Sequence, residues 1–144
     1  MGPGAYVNSR NTFSVAALNP VQACFIDFNT FRQLVKANNA FAESLLEDLC
    51  MKSLNSQTKM VNLAQKKMPG RLAEALLYFA DEVFRSDEFE LPLTRYELGE
   101  MTNMAKESVV RILKEMDESD VISSRSSSIR ILDRQKLALI SVKG

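Results

Sequence analysis

The sequence predicts a mainly α-helical chain with a small β component: a short hairpin, one long helix, and a C-terminal helix-turn-helix closed by a β wing. Three observations predict it. From Asn39 to Lys67 the chain runs without Gly or Pro, and Phe41, Leu45, Leu49, Met60 and Leu63 recur at spacings close to three and four. Thr94 and Glu97 have the spacing of a capping box, and a second periodic run follows Asn103. Val121-Ile122 and Ile129-Arg130-Ile131 flank the polar Ser123–Ser128, the pattern of two short strands around a turn.

The first part, residues 1–37, opens in a Gly/Pro-rich stretch. Thr12–Leu18 and Val21–Phe28 are rich in Val, Phe and Ile and are broken by Asn19-Pro20, so they are expected to form a hairpin. A lone hairpin is marginal, which marks it as the remnant of a larger sheet and the chain as a fragment or a shortened sensor domain. Asn29 or Thr30 is expected to cap a short helix through Lys36, with Phe31, Leu34 and Val35 on one face.

Residues 38–67 form the second part, a helix of ~40 Å at 1.5 Å per residue. Its apolar stripe is interrupted by Ser53, Asn55, Ser56 and Gln57, where a helix buried in a monomer core would have stayed apolar. Such a seam suits a homodimer interface of Phe41, Leu45, Leu49, Ser56, Met60 and Leu63. The polar patch then sets register, or Ser56 and Gln57 touch an effector.

In the third part, residues 68–144, Pro69 suits a first helical turn, and Leu72, Ala75, Leu76, Phe79, Ala80 and Val83 give a core-packed helix over Arg71–Phe84. Ser86–Pro92 reads as an acidic connection that Pro92 keeps from being helical. A helix then runs from Thr94 to Met101, and Asn103 supplies the positive φ that the turn requires. The second helix runs from Ala105 to about Glu118, with Leu98, Met101, Met104, Val109, Ile112 and Leu113 inward and Lys106, Glu107 and Arg111 on the free face. Past the wing, Asp133 is expected to cap a last helix holding Leu137, Leu139 and Ile140.

Composition excludes several functions. Of 144 residues 46% are hydrophobic and 25% charged, a globular balance, and no apolar run approaches the ~20 residues of a membrane span. No membrane partner is expected, and without a secretory signal at Met1–Gly4 the expected location is the cytoplasm. The absence of His removes the usual zinc sites and histidine acid-base chemistry, and two cysteines cannot hold a four-cysteine cluster. Cys24 and Cys50 sit in apolar neighbourhoods and are expected to be buried. No Gly-rich phosphate loop or nucleophile elbow appears, and Glu47 and Asp48 read as a solvated helix face, so no catalytic residue and no metal ligand is assigned.

Charge argues against a DNA-binding role. Eighteen Lys+Arg balance eighteen Asp+Glu, with seven against four before Pro69 and eleven against fourteen from there on. Any contact with double-stranded DNA must therefore come from a local cluster of cations facing away from Asp87–Glu90. The acidic C-terminal half favours the alternative, a coiled-coil module that binds a protein partner.

The order of elements resembles the Crp/Fnr superfamily of bacterial transcription regulators. The residues that carry it are Phe31-Arg32-Gln33-Leu34, Gly70-Arg71-Leu72-Ala73, Leu93-Thr94-Arg95-Tyr96-Glu97-Leu98-Gly99 and Lys106-Glu107-Ser108-Val109-Val110-Arg111-Ile112-Leu113-Lys114. The resemblance implies that residues 1–37 are the remnant of an effector domain whose cyclic-nucleotide-binding β-roll is mostly missing, that 38–67 is the dimerisation helix, and that 68–144 is a winged helix-turn-helix. It implies base contacts from Lys106, Glu107 and Arg111, and phosphate contacts from Thr94, Arg95, Ser108 and Arg125. It also implies a pseudo-palindromic operator, with RNA polymerase as a further partner. Two departures stand out. Ala105 replaces the usual Ser or Thr cap, and Asn11 stands where the family's cyclic-nucleotide cassette has an arginine, without the upstream glycine-glutamate pair. No cofactor is therefore assigned.

Overall fold

The computed structural model describes residues 14, 15, 17 and 20–144, in two compact units that divide between Asn55 and Ser56. In the N-terminal unit, α1 spans Phe28–Ala37 and is capped by Asp27, whose carboxylate accepts from the amides of Asn29 at 2.9 Å and Thr30 at 3.1 Å. The cap thus lies two or three residues earlier than expected, because a carboxylate satisfies two orphan amides at once. Phe31 and Val35 are half-buried while Leu34 faces out, and the Phe31 ring meets Phe41 edge-on at 6.0 Å.

The predicted hairpin is not formed where the structure describes it. Residues 21–27 contain no strand, and Thr12, Phe13, Ala16, Leu18 and Asn19 of the first arm and turn lie outside the described residues. Val21, Phe25 and Ile26 are exposed, so no apolar burial favours an extended ladder there.

Helix α2, Asn39–Gln65, opens where the Asn38 side chain accepts from the Phe41 amide at 3.0 Å. None of its residues is buried. Both cysteines are exposed and free, contrary to expectation, because their apolar neighbours Phe25, Ile26, Met51 and Leu54 are themselves exposed.

The C-terminal unit is built from α3 (Met68–Tyr78), a π-helical turn (Phe79–Val83), β1 (Glu88–Glu90), α4 (Arg95–Thr102), α5 (Lys106–Glu118), β2 (Ile122–Arg125), β3 (Ser128–Ile131) and α6 (Arg134–Lys143). Pro69 sits in the first turn of α3, as the spacing predicts. The helix expected to continue to Phe84 widens instead, the Phe84 amide bonding the Phe79 carbonyl at 2.9 Å. The wider turn brings Phe84 onto Phe89, their rings stacked with centroids 5.2 Å apart.

The three strands are antiparallel in the order β1-β3-β2, pairing Phe89 with Ile129 and Ile122 with Ile131. Ser86–Pro92 is therefore more than a connection, since Glu88-Phe89-Glu90 adds a third strand with only Phe89 facing the core. Leu72, Leu76, Leu98, Val109, Ile112, Ile122, Ile129 and Leu137 are fully buried, each stabilising the unit by about 1.5–3 kcal/mol. Met101, expected inward, is exposed, as is Leu139 of α6, while Met104 and Ile140 pack against the core. Among the described residues no helix is long and apolar enough to cross a membrane, and no cluster of His, Cys, Asp or Glu could hold a metal.

Candidate nucleic-acid interface

The capping box predicted at Thr94 is present in both directions. The Thr94 hydroxyl accepts from the Glu97 amide at 3.2 Å, and the Glu97 carboxylate accepts from the Thr94 amide at 2.7 Å. The Thr94 hydroxyl also donates to the Glu97 carboxylate at 2.7 Å. The bonds that the carboxylate accepts, from the Thr94 amide first and its hydroxyl next, hold the Glu97 carboxyl below its ordinary value. The C-terminal end of α4 is set by Asn103, which adopts the left-handed conformation at φ 52°. Its tight reversal brings the Met104 carbonyl so close to Gly99 that a Cβ there would lie 2.6 Å from the oxygen.

Helix α5 then presents two unlike faces. Val109, Ile112, Leu113 and Met116 are buried, whereas Lys106, Glu107, Val110, Arg111 and Lys114 are exposed. Ser108 is half-buried in the first turn. Lys106 and Glu107 make no ion pair among the described residues, while Arg111 Nη1 lies 2.6 Å from Glu115 and Lys114 lies 3.5 Å from Glu118. Ala105 occupies the cap position and makes no side-chain capping bond.

The wing is tied to α4 and α5. Arg95, half-buried, donates from Nη2 to the Ser124 hydroxyl at 3.3 Å and to the Ser126 carbonyl, and its burial lowers the guanidinium pKa from the usual arginine value. The Ser124 amide donates to Asp117 at 2.8 Å. Arg125 stands exposed beside the Ser126-Ser127 turn, where Ser126 has φ 53°. Thr94, Arg95, Ser108 and Arg125 are thus spread over α4, α5 and the wing, with the Thr94 hydroxyl engaged in its cap.

The acidic segment is matched by cations of its own unit. Glu88 accepts two bonds from Arg130, at 2.7 and 3.1 Å, which together with the charge of Arg130 lower the Glu88 pKa. Asp87 and Asp81 both accept from Arg134, and Glu90 accepts from the Ser127 hydroxyl at 2.6 Å. On the long helix, Phe41 and Leu45 are half-buried, while Leu49, Ser56, Gln57, Met60 and Leu63 are exposed.

Residues 70–140 match the model of the Crp-like helix-turn-helix domain. The cAMP-activated global transcriptional regulator CRP of Pasteurella multocida is 30% identical over 118 residues, covering 80% of this chain and 56% of that protein. The chain belongs to the Crp/Fnr family.

The corresponding CRP of Haemophilus influenzae is 27% identical over 128 residues, which are 87% of this chain and 54% of that protein. This Crp/Fnr chain spans about half the length of the curated relatives it matches. In fold it is similar to FixK2 from Bradyrhizobium japonicum, with a TM-score of 0.74 at 19% identity over 81% of this chain and 59% of that one.

Within the Crp/Fnr fold, two features of this site escaped the sequence reading. The alternation of Glu88-Phe89-Glu90 signals a strand, but three residues beside a proline read equally as a loop. Arg71 carries part of the sequence resemblance, and it also bonds to the turn between α4 and α5. No local pattern announces a contact between residues so far apart in the chain.

Proposed function

We propose that this chain is the DNA-reading part of a Crp/Fnr transcription regulator that binds a pseudo-palindromic operator as a homodimer. The observation that carries the reading is the exposed polar face at the start of α5, whose opposite face is locked into the core by Val109, Ile112 and Leu113. A helix held this way can enter a major groove without unfolding its own domain.

The roles follow from chemistry. Arg111 donates its planar fork to a guanine edge, Lys106 donates to a second guanine, and Glu107 accepts from a cytosine amino group. Arg95, Ser108, Arg125 and Thr94 meet phosphates and set the position of α5 on the duplex. The acidic balance of this half does not oppose the role, because Asp81, Asp87 and Glu88 are engaged by Arg134 and Arg130. The apolar stripe of α2, with Phe41, Leu45, Leu49, Met60 and Leu63, supplies the dimer seam, and Ser56 fixes its register. Two recognition helices then fall in successive major grooves ~34 Å apart. RNA polymerase is the partner such a regulator would act on.

Selection of bound fragments from random DNA, followed by a salt titration of the selected site, tests this reading. Saturable binding to a two-fold symmetric site, weakening steeply with salt, is the expected result. Salt-insensitive or non-saturable retention would point instead to a protein partner.

A further inference from the structure

Arg71, in the first turn of α3, joins two elements that are distant in sequence. Its Nη1 donates to the Leu63 carbonyl at 3.1 Å, and its Nη2 donates to the Asn103 carbonyl at 3.1 Å. Both acceptors are carbonyls left over where a helix ends. The Lys67 amide, which would serve Leu63 in a continuing helix, donates instead to the Gly144 carbonyl at 2.9 Å, and Asn103 is the left-handed residue between α4 and α5. The Arg71 Nε is buried and makes no hydrogen bond, so the guanidinium is placed to serve the two carbonyls at the expense of its third nitrogen.

A second group of α3 grips the same turn of α2. The Glu74 carboxylate accepts from Asn62 Nδ2 at 2.5 Å and lies 3.2 Å from Lys66 Nζ. Asn62, Leu63 and Lys66 are thereby held against α3, and Arg71 extends that hold to the turn that starts α5. A rigid planar fork can do this; a single ammonium cannot span both carbonyls.

We infer that Arg71 is a positioning residue for DNA reading: it fixes the recognition helix relative to the last turns of the long helix, and in a dimer it thereby sets the half-site separation. The inference rests on the proposed function. Its consequence is distinct from that of a base-reading residue, because Arg71 governs the distance between half-sites and leaves base choice within each unchanged.

The test is a series of palindromes with identical half-sites and the centre lengthened or shortened by one and two base pairs, bound by the full chain carrying Arg71→Lys and Arg71→Ala. The wild type is expected to favour one spacing by ~tenfold or more, and both variants to flatten that ratio by several-fold, while the penalty for a wrong base inside a half-site stays as in the wild type. If Arg71→Ala fails to fold, Arg71→Lys retains charge and bulk and decides the matter. An unchanged spacing ratio in Arg71→Lys, with DNA still bound, overturns the inference alone. No saturable binding by the wild type overturns the reading beneath it as well.

Discussion

Arg111 and Glu115 form an ion pair of 2.6 Å along the exposed face of α5, each side chain about half accessible to solvent. One helical turn separates them, so the pair belongs to the helix and locks Arg111 to no other element. An exposed pair of this kind contributes about 0.3–0.5 kcal/mol, far less than a bidentate bond to guanine. Arg111→Ala should therefore leave the melting temperature nearly unchanged while costing ~1–3 kcal/mol on the selected operator and relaxing base choice at one position per half-site. Parallel titrations on operator and random DNA check this, and equal losses on both would remove Arg111 from the base-reading set.

Arg95 behaves differently because it is already engaged with the wing, through Ser124 and the Ser126 carbonyl. Replacing it by Ala should weaken operator and random DNA alike and reduce the salt slope by ~1, as loss of one phosphate contact requires. Arg95→Lys separates charge from geometry. It should keep the salt slope but loosen the Ser126-Ser127 turn, read as faster amide exchange there. A preserved slope in Arg95→Ala would mean that the side chain serves the wing alone.

The capping box gives the C-terminal unit an acid-sensitive element. Glu97 has its pKa lowered from 4.5 by the Thr94 backbone amide first and the Thr94 hydroxyl second. A depressed carboxylate contributes stability that is complete above its unfolded value and is lost as pH falls through the folded value. Wild-type stability should accordingly decline as pH falls from about 5, and Glu97→Gln should show a shallower decline over that range. Thr94→Ala should cost about 1 kcal/mol at neutral pH yet keep most of the pH dependence, since the backbone bond survives. Urea denaturation at stepped pH measures both; identical acid limbs for wild type and Glu97→Gln would contradict the assignment.

How much of this was legible in the sequence depends on the range of each signal. The capping box, the left-handed Asn103, the uncapped Ala105 and the Asp133 cap are local, and residue types at fixed spacing are enough to locate them. The buried face of α5 followed from its period, with Met101 misplaced because its helix ends within a turn of it. The strand at Phe89 and the widened turn at Phe79 depend instead on Ile129 and Phe84, partners that no short window contains. The second arm of the expected hairpin, Val21–Phe28, departs in the other direction: residues 21–27 hold no strand and Phe28 opens α1. Its β-prone residues supply propensity, but propensity without a covering layer does not hold a strand. At the interface, the exposure of Lys106, Glu107 and Arg111 could be anticipated, whereas Arg71 and the neutralisation of Asp87 and Glu88 could not.

Ala105 offers the most direct test of whether order at the start of α5 limits DNA binding. It stands at the cap with extended backbone, φ −66° and ψ 148°, the conformation from which a Ser hydroxyl reaches the amides of the first turn. Alanine has no side-chain acceptor: the Ser108 amide bonds the Ala105 carbonyl at 3.0 Å, but the Lys106 and Glu107 amides are left to solvent in the free protein, and the first turn that bears these two residues should open readily. Ala105→Ser should stabilise the unit by about 1 kcal/mol without disturbing the core, because residue 105 is exposed. If that turn must be ordered before it enters the groove, the same change should tighten operator binding by up to about fivefold and slow amide exchange at 107–109 in the free chain. Stabilisation with unchanged affinity would show that the turn is already formed before DNA arrives, and would place the cost of binding elsewhere.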